Sequence, residues 1–74
     1  MIKADTYHGY IYLYNLDTFR RSATINDSPR TTGDVVVGYT VALYNEKLEM
    51  THRVFSTHTE AMRYAIEYVN EERD

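Results

Sequence analysis

The chain lacks cysteine and tryptophan altogether, and its 74 residues include one proline and three glycines. Without cysteine, neither a disulfide nor a thiolate zinc site is possible. A domain this small has a small core and is often stabilised by such a staple or by a second subunit. Since the staples are excluded, we predict a homodimer. The absence of cysteine also fits a reducing compartment, so we expect the cytoplasm as its location.

Long apolar runs are absent as well. The first ten residues, MIKADTYHGY, show neither the pattern of a signal peptide nor that of a membrane anchor. The net charge of −3 falls entirely within residues 56–74, which hold five acidic residues against two arginines. Because the chain has no basic stripe, we do not expect nucleic acid or a membrane to be its partner.

Motifs for catalysis or cofactor binding are also missing. The three histidines, His8, His52 and His58, do not have the spacing of metal ligands. The serines lie outside any G-x-S-x-G motif, and the glycines are too dispersed for a phosphate-binding loop. We therefore predict no enzymatic activity, no cofactor and no metal.

Four segments have the alternation or the composition of β-strands. They are YHGYIYLY (7–14), FRRSATI (19–25), DVVVGYTVALY (34–44) and LEMTHRVF (48–55). Residues 26–34, rich in turn-forming types, are predicted to be the longest loop, and residues 45–47 a short hairpin turn. We interpret Gly9 and Gly38 as strand positions where a bulge or close packing excludes a side chain.

The C-terminal segment STHTEAMRYAIEYVNEERD (56–74) is predicted to form an amphipathic helix. Thr57 and Glu60 have the spacing of a capping box at its start. Its apolar stripe consists of Ala61, Met62, Ala65, Ile66, Tyr68 and Val69. Strands followed by a helix predict an α+β fold for a single domain of residues 1–74. In this fold one helix packs on one face of an antiparallel, three- to four-stranded meander sheet (β-β-β-β-α).

One helix covers only one face of such a sheet, so the other face is expected to be open. The period of two predicts that the helix side carries Ile11, Leu13, Val37, Val41, Leu43, Leu48, Met50 and Val54. In the segment FRRSATI, the residues predicted to face the helix are Phe19, Arg21, Ala23 and Ile25. The open side then carries Tyr10, Tyr12, Tyr14, Arg20, Ser22, Thr24, Val36, Thr40, Tyr44, Glu49, Thr51 and Arg53. A shift of one residue in the register of the first hairpin would bury the tyrosines instead.

The concentration of tyrosine gives this open side its functional interest. Four of the eight tyrosines fall within residues 7–14. Tyrosine and arginine are frequent anchors of protein interfaces, because each combines contact area with hydrogen-bonding groups. The predicted partner-binding residues are Tyr10, Tyr12, Tyr14, Arg20, Tyr44 and Arg53. The alternative is that the rings only stabilise a solvated sheet through cross-strand pairs.

In its small size, acidic charge, tyrosine content and lack of a catalytic motif, the chain resembles small phage-encoded proteins that bind host machinery. The resemblance implies a stoichiometric inhibitor of a larger host protein, such as a restriction or CRISPR component, acting in the host cytoplasm. A non-enzymatic protein-binding module is therefore the leading hypothesis. The alternatives are a single-stranded nucleic-acid binder that stacks bases on the same rings, and an accessory enzyme subunit that uses loop 26–34.

Overall fold

The computed structural model describes residues 1–72 as one antiparallel sheet with a C-terminal helix packed against it. The elements are β1 (Ile2–Tyr7), β2 (Tyr10–Asn15), β3 (Ser22–Asn26), β4 (Arg30–Thr32), β5 (Val35–Tyr44), β6 (Met50–Phe55) and α1 (His58–Val69). The predicted α+β class and the predicted helix are confirmed, with six strands in the sheet. Residues 73 and 74 of the predicted helix lie outside the described residues. Within 1–72, no helix is long and apolar enough to cross a membrane.

The sheet is organised around the ten-residue strand β5. Strands β1, β2, β3 and β5 are neighbours in that order, and β6 also pairs with β5. The C-terminal part of β5 pairs with β3 and β6, whereas residues 35–38 at its start pair with β4. Val35, Val36 and Val37 in that first part are all exposed. The β4–β5 hairpin therefore extends beyond the part of the sheet that the helix covers. The predicted helix-side position of Val37 was wrong, because its side chain is about half exposed.

Two strands lie where sequence patterns did not place them. Strand β1 alternates poorly, because it includes charged and polar residues, yet it pairs with β2 along its whole length. The two strands are joined by His8 and Gly9, whose φ values of 48° and 82° suit the type I′ turns of tight hairpins. Gly9 is therefore a turn residue, and its interpretation as a strand position was wrong. Strand β4 lies within the predicted loop 26–34 and forms a hairpin with β5.

The core lies between the sheet and α1. Its buried members, each no more than 3% exposed, are Leu13, Ala23, Ile25, Val41, Leu43, Ala61, Ala65 and Val69. The small side chains of Ala61 and Ala65 let the helix lie close to the sheet. Ile66, however, is 37% exposed, and Tyr64 packs towards the sheet with its ring centroid 5.1 Å from that of Phe55. The predicted apolar stripe was therefore wrong at Ile66.

The helix begins as the sequence indicates. Thr57 is the N-cap, and its hydroxyl accepts a hydrogen bond of 3.2 Å from the backbone N–H of Glu60. This confirms the predicted capping interaction. In the first turn, Nε2 of His58 lies 3.2 Å from a carboxylate oxygen of Asp27, outside hydrogen-bond geometry. The helix start is thus held near the loop that follows β3.

Strand β6 faces the opposite way from the prediction. Tyr44 lies directly opposite Met50, and opposed residues of an antiparallel pair share a face. The connection between them is residues 45–49, an odd number, with Leu48 at a φ of 63° and 80% exposed. As a result Met50 and Val54, predicted on the helix side, lie with Tyr44 on the other side. Conversely, Thr51 and Arg53 lie on the helix side, and Glu49 lies in the loop.

Candidate partner-binding face

We call the sheet surface opposite the helix the open face. The register places there Lys3, Asp5, Tyr7, Tyr10, Tyr12, Tyr14, Ser22, Thr24, Asn26, Thr40, Ala42, Tyr44, Met50, His52 and Val54. The core residues Leu13, Ala23 and Leu43, each one position away, face the helix. The first hairpin therefore has the register that exposes the tyrosines, and no other element in the described chain covers them.

A row of stacked rings lies on one side of the open face. The ring centroids of Tyr12 and Tyr14 are 5.2 Å apart with an interplanar angle of 29°. Phe19 extends the row, with its centroid 6.4 Å from that of Tyr14 and an angle of 20°. Such offset stacking favours aromatic pairs beyond the area they bury. The three rings therefore present a fixed apolar surface rather than three independent side chains.

Phe19 reaches this row because it lies in the β2–β3 connection and not in a strand. Its φ is 55°, and its side chain is 68% exposed. The sequence predicted that Phe19 begins a strand and faces the helix, which was wrong. Ala23 and Ile25 of the same predicted face are buried in the core, so the error is confined to the residues before β3.

Asp5 fixes the middle ring of the row. The hydroxyl of Tyr14 donates a hydrogen bond of 3.2 Å to a carboxylate oxygen of Asp5. Desolvation by the surrounding groups, followed by this hydrogen bond and the negative charge of Asp5, raises the pKa of the Tyr14 phenol. A phenol is already protonated at neutral pH, so Tyr14 is able to donate this hydrogen bond there. This contact orients the ring before any partner arrives.

A shallow depression of about 480 Å³ occupies the other side of the open face. Its lining residues are Tyr10, Thr24, Asn26, Arg30, Thr40, Ala42, Tyr44, Met50 and His52. Small side chains such as Thr24 and Ala42 lie between larger ones, which produces the concave shape. The depression is wide and solvent-open, so it suits a protruding side chain of a partner better than an enclosed small molecule.

The structure brings together four of the six predicted site residues. Tyr10 and Tyr12 are 47% and 42% exposed, and Tyr14 and Tyr44 are half-buried beside them. Arg20 lies instead in the β2–β3 connection, where its guanidinium forms a 2.8 Å ion pair with Glu71. The guanidinium carbon of Arg53 lies on the helix side, 5.3 Å from the centre of the Tyr64 ring. The predicted open-face position of Arg53 was wrong, whereas Arg20 borders the row of rings and lines a depression together with Tyr12, Tyr14 and Phe19.

Met50, His52 and Val54 join the face although the sequence prediction left them out. The sequence contained the information needed. Tyr44 was assigned to the open side, and an odd number of residues in the following turn places the even-numbered residues of the next strand on the same side as Tyr44. Nothing comparable in the sequence indicates Phe19, since its position depends on a left-handed backbone conformation in a loop.

The open face carries few ionisable groups. Apart from its phenols, its ionisable groups are Lys3, Asp5 and His52. In residues 1–72, no three histidine or carboxylate side chains are grouped in a way that could hold a metal ion. Comparison with known protein families, curated proteins and solved structures returns no match to this chain.

Proposed function

We propose that this chain is a protein-binding module that docks a larger protein on its open face. The observation that carries the proposal is the concentration of large, partly exposed side chains on an uncovered sheet surface. Besides the tyrosines, Met50 and Val54 are about half exposed, and Phe19 is 68% exposed. A monomeric protein rarely exposes a contiguous apolar patch of more than ~300–600 Å² unless that patch has a role.

The size of the face fits a specific interface. A large side chain buries ~150–250 Å² when fully covered, so a half-exposed one still offers ~100 Å². Tyr10, Tyr12, Phe19, Met50 and Val54 together therefore offer on the order of 500 Å². The threonines, serine and histidine between them bring the total near the ~800 Å² that each partner contributes to a standard interface.

The character of the face indicates the kind of partner. Its charges are few and of both signs, so electrostatic attraction to a strongly charged surface is weak. Its phenols combine apolar rings with hydroxyls that remain in contact with water. A partner surface with an apolar centre and hydrogen-bonding groups at its rim matches this composition.

The open face has few of the cationic side chains that binding of a single-stranded nucleic acid requires. Stacked rings such as Tyr12 and Tyr14 suit bases, but affinity for the strand depends on lysine and arginine at the phosphates. The face carries Lys3, with Arg30 at its border. Arg20 is paired with Glu71 and Arg53 lies on the helix side. We therefore favour a protein partner over a single-stranded nucleic acid.

The finer parts of the proposal are that the partner is a host protein and that the contact blocks it. They rest on the resemblance to small phage-encoded inhibitors, such as those directed at restriction or CRISPR systems. We also propose that the chain acts as a homodimer, since its small core has no covalent staple.

The test compares capture of a partner by three versions of the tagged chain. Tyr12→Ala combined with Tyr14→Ala removes the stacked row, whereas Ile66→Ala removes a similarly exposed apolar group on the helix side as the control. Loss of two interface anchors is expected to weaken binding by ~100-fold or more, and the control variant should bind as the wild type does. Circular dichroism and the melting temperature check that the double variant remains folded.

Two results would overturn the proposal. If the folded double variant retains the partner at wild-type affinity, the open face is not the binding surface. If a fluorescent single-stranded oligonucleotide binds at low salt and the same double variant abolishes that binding, the nucleic-acid alternative replaces the protein partner.

A further inference from the structure

Strand β1 has a free outer edge. It lies at the end of the sheet order and pairs with β2 along one edge only. No residue of the described chain pairs with its other edge, and residues 3–7 are exposed. The helix packs on β2, β3, β5 and β6, so the space beside β1 is accessible to another strand. Unpaired edges of this kind are templates for strand addition.

The hairpin geometry defines which backbone groups of β1 point outward. In a hairpin with a two-residue turn, the residues that flank the turn form a hydrogen-bonded pair, here Tyr7 and Tyr10. At the other end, the carbonyl of Met1 accepts a 2.9 Å hydrogen bond from the N–H of Leu16. Odd-numbered residues of β1 therefore bond to β2. The backbone groups of Ile2, Ala4 and Thr6 point away from the sheet.

We propose that β1 pairs with β1 of a second copy, antiparallel, about a twofold axis at Ala4. With a twofold axis perpendicular to the sheet, residues whose backbone groups point away from β2 must lie opposite each other. Only a few registers of β1 against β1 meet this condition. Centring on Lys3 would put two lysines opposite each other, and centring on Asp5 would oppose two carboxylates. Centring on Ala4 puts Lys3 of each copy opposite Asp5 of the other. Among these registers, that one alone places the oppositely charged side chains of the two β1 strands opposite each other, and it does so twice.

Lys3 and Asp5 occupy positions at which opposite charges on the two strands come close together. Lys3 and Asp5 are on the same face, since they oppose Tyr14 and Tyr12 of β2. In the Ala4-centred register they form non-hydrogen-bonded pairs, whose Cα atoms are only ~4.5 Å apart and whose side chains are closest. Strand β6, the edge at the other end, carries Arg53 and His52 but no carboxylate. Its self-pairing would bring together no opposite charges.

The paired strands would form a continuous sheet across the dimer. About six intermolecular backbone hydrogen bonds would connect Ile2, Ala4 and Thr6 of the two copies. Because the axis is perpendicular to the sheet, both open faces lie on the same side. The tyrosine rows of the two β2 strands would then be ~14 Å apart, three strand spacings. The pairing leaves the open face uncovered, so it holds or fails independently of the proposed binding function.

A single introduced cysteine tests the register directly, since the chain has none of its own. In the proposed dimer the two Ala4 Cα atoms are ~5.5 Å apart, within the range that a disulfide spans. Ala4→Cys should therefore be converted to a covalent dimer by oxidised glutathione. Thr6→Cys is the matched control on the same edge, because its two copies are ~13 Å apart. No covalent dimer from Ala4→Cys, or equal amounts from both variants, would overturn the proposal.

Charge reversal tests the pairing without a cross-link. Asp5→Lys alone and Lys3→Asp alone each place like charges opposite, so each should weaken the dimer roughly tenfold in dissociation constant, ~1.4 kcal/mol. An equimolar mixture of the two variants should restore dimerisation, because every pair then joins opposite charges. Tyr14→Phe removes the hydroxyl contact to Asp5 but keeps the charges, so it should dimerise as the wild type does.

Light scattering and sedimentation over a range of concentrations give the masses. A wild-type chain that stays monomeric up to ~1 mM would overturn the proposed pairing. Mass that rises without limit would indicate head-to-tail strand addition and would equally overturn the twofold pairing. Failure of the mixture to restore the dimer would eliminate the proposed register.

Discussion

Gly38 is the position where the β4–β5 hairpin leaves the main sheet, and replacing it with alanine should strongly destabilise the fold. Its φ is 151°, a conformation that residues with a side chain rarely adopt. A Cβ atom there would lie 2.5 Å from the backbone oxygen of Phe55 and 2.8 Å from Cγ1 of Val54. The first neighbour is backbone within a paired strand, so it cannot move aside without disturbing the β5–β6 ladder.

Two physical terms set the size of this effect. Forcing extra atoms into a packed site costs ~1–3 kcal/mol, and an unfavourable backbone conformation costs another ~1–3 kcal/mol. The expected loss is therefore ~2–6 kcal/mol, against a total stability of ~4–11 kcal/mol for a domain of this length. At ~4–8 °C per kcal/mol, even the lower end of this range should reduce the melting temperature by ~8–16 °C.

Gly33 provides the matched control for this prediction. Its φ of 62° is also left-handed, but a Cβ atom there would meet nothing within 4 Å. Gly33→Ala should therefore cost only the backbone term, ~1–2 kcal/mol. Thermal unfolding followed by circular dichroism compares the two variants. If Gly38→Ala melts no lower than Gly33→Ala, the close approach of β5 and β6 at this point is refuted.

Three further measurements examine the helix cap, the core and the stacked row. Thr57→Ala should cost ~1 kcal/mol in urea unfolding, because it removes the helix cap; an unchanged midpoint would contradict that role. Leu13→Ala should reduce the free energy of unfolding by ~2–5 kcal/mol by the same method. Tyr12→Ala, on the other face of the same strand, should reduce it by less than ~1 kcal/mol. Similar losses for the two variants would contradict the assignment of faces. Because desolvation and Asp5 raise the folded-state pKa of Tyr14, its contribution to stability is complete below the unfolded tyrosine pKa of ~10 and is lost as the pH rises through the folded value. Wild type should therefore lose stability relative to Tyr14→Phe as the pH rises above ~10, and parallel pH profiles would rule out this coupling.

Local patterns were sufficient for the elements whose residues alternate or repeat clearly. The central strands β2, β3 and β5 each overlap a predicted strand, and the capping motif at Thr57 predicts where the helix begins. The alternation in β2 also predicts that Leu13 is in the core while Tyr12 and Tyr14 are not. These features are local, because a strand or helix exposes its periodicity over a few residues.

Strand β1 could not be predicted from local sequence patterns. Its side chains are mostly exposed, so there is little apolar alternation to find. It forms because a tight turn at His8 and Gly9 brings it beside an already hydrophobic strand, where its backbone groups find partners. The short strand β4 is explained in the same way by its hairpin with β5.

The composition of the candidate site depends equally on geometry beyond single segments. Arg20 and Arg53 have the residue type of an interface anchor, but their direction depends on a loop and on the phase of β6. Phe19 has no strand pattern to place it, and only the left-handed turn before β3 brings its ring onto Tyr14. The period within one strand cannot define the phase between two strands, since that depends on the number and conformation of the residues that join them.

By itself, the sequence determined an α+β domain without disulfides, a capped amphipathic helix, and strands that divide apolar residues from tyrosines. These follow from composition and local periodicity, which act over a few neighbouring residues. Only the tertiary structure decided which residues share the open face, that Asp5 orients Tyr14, and that Lys3 and Asp5 lie along a free edge. Those arrangements join positions distant in sequence, and they arise from strand pairing and burial of the whole core at once.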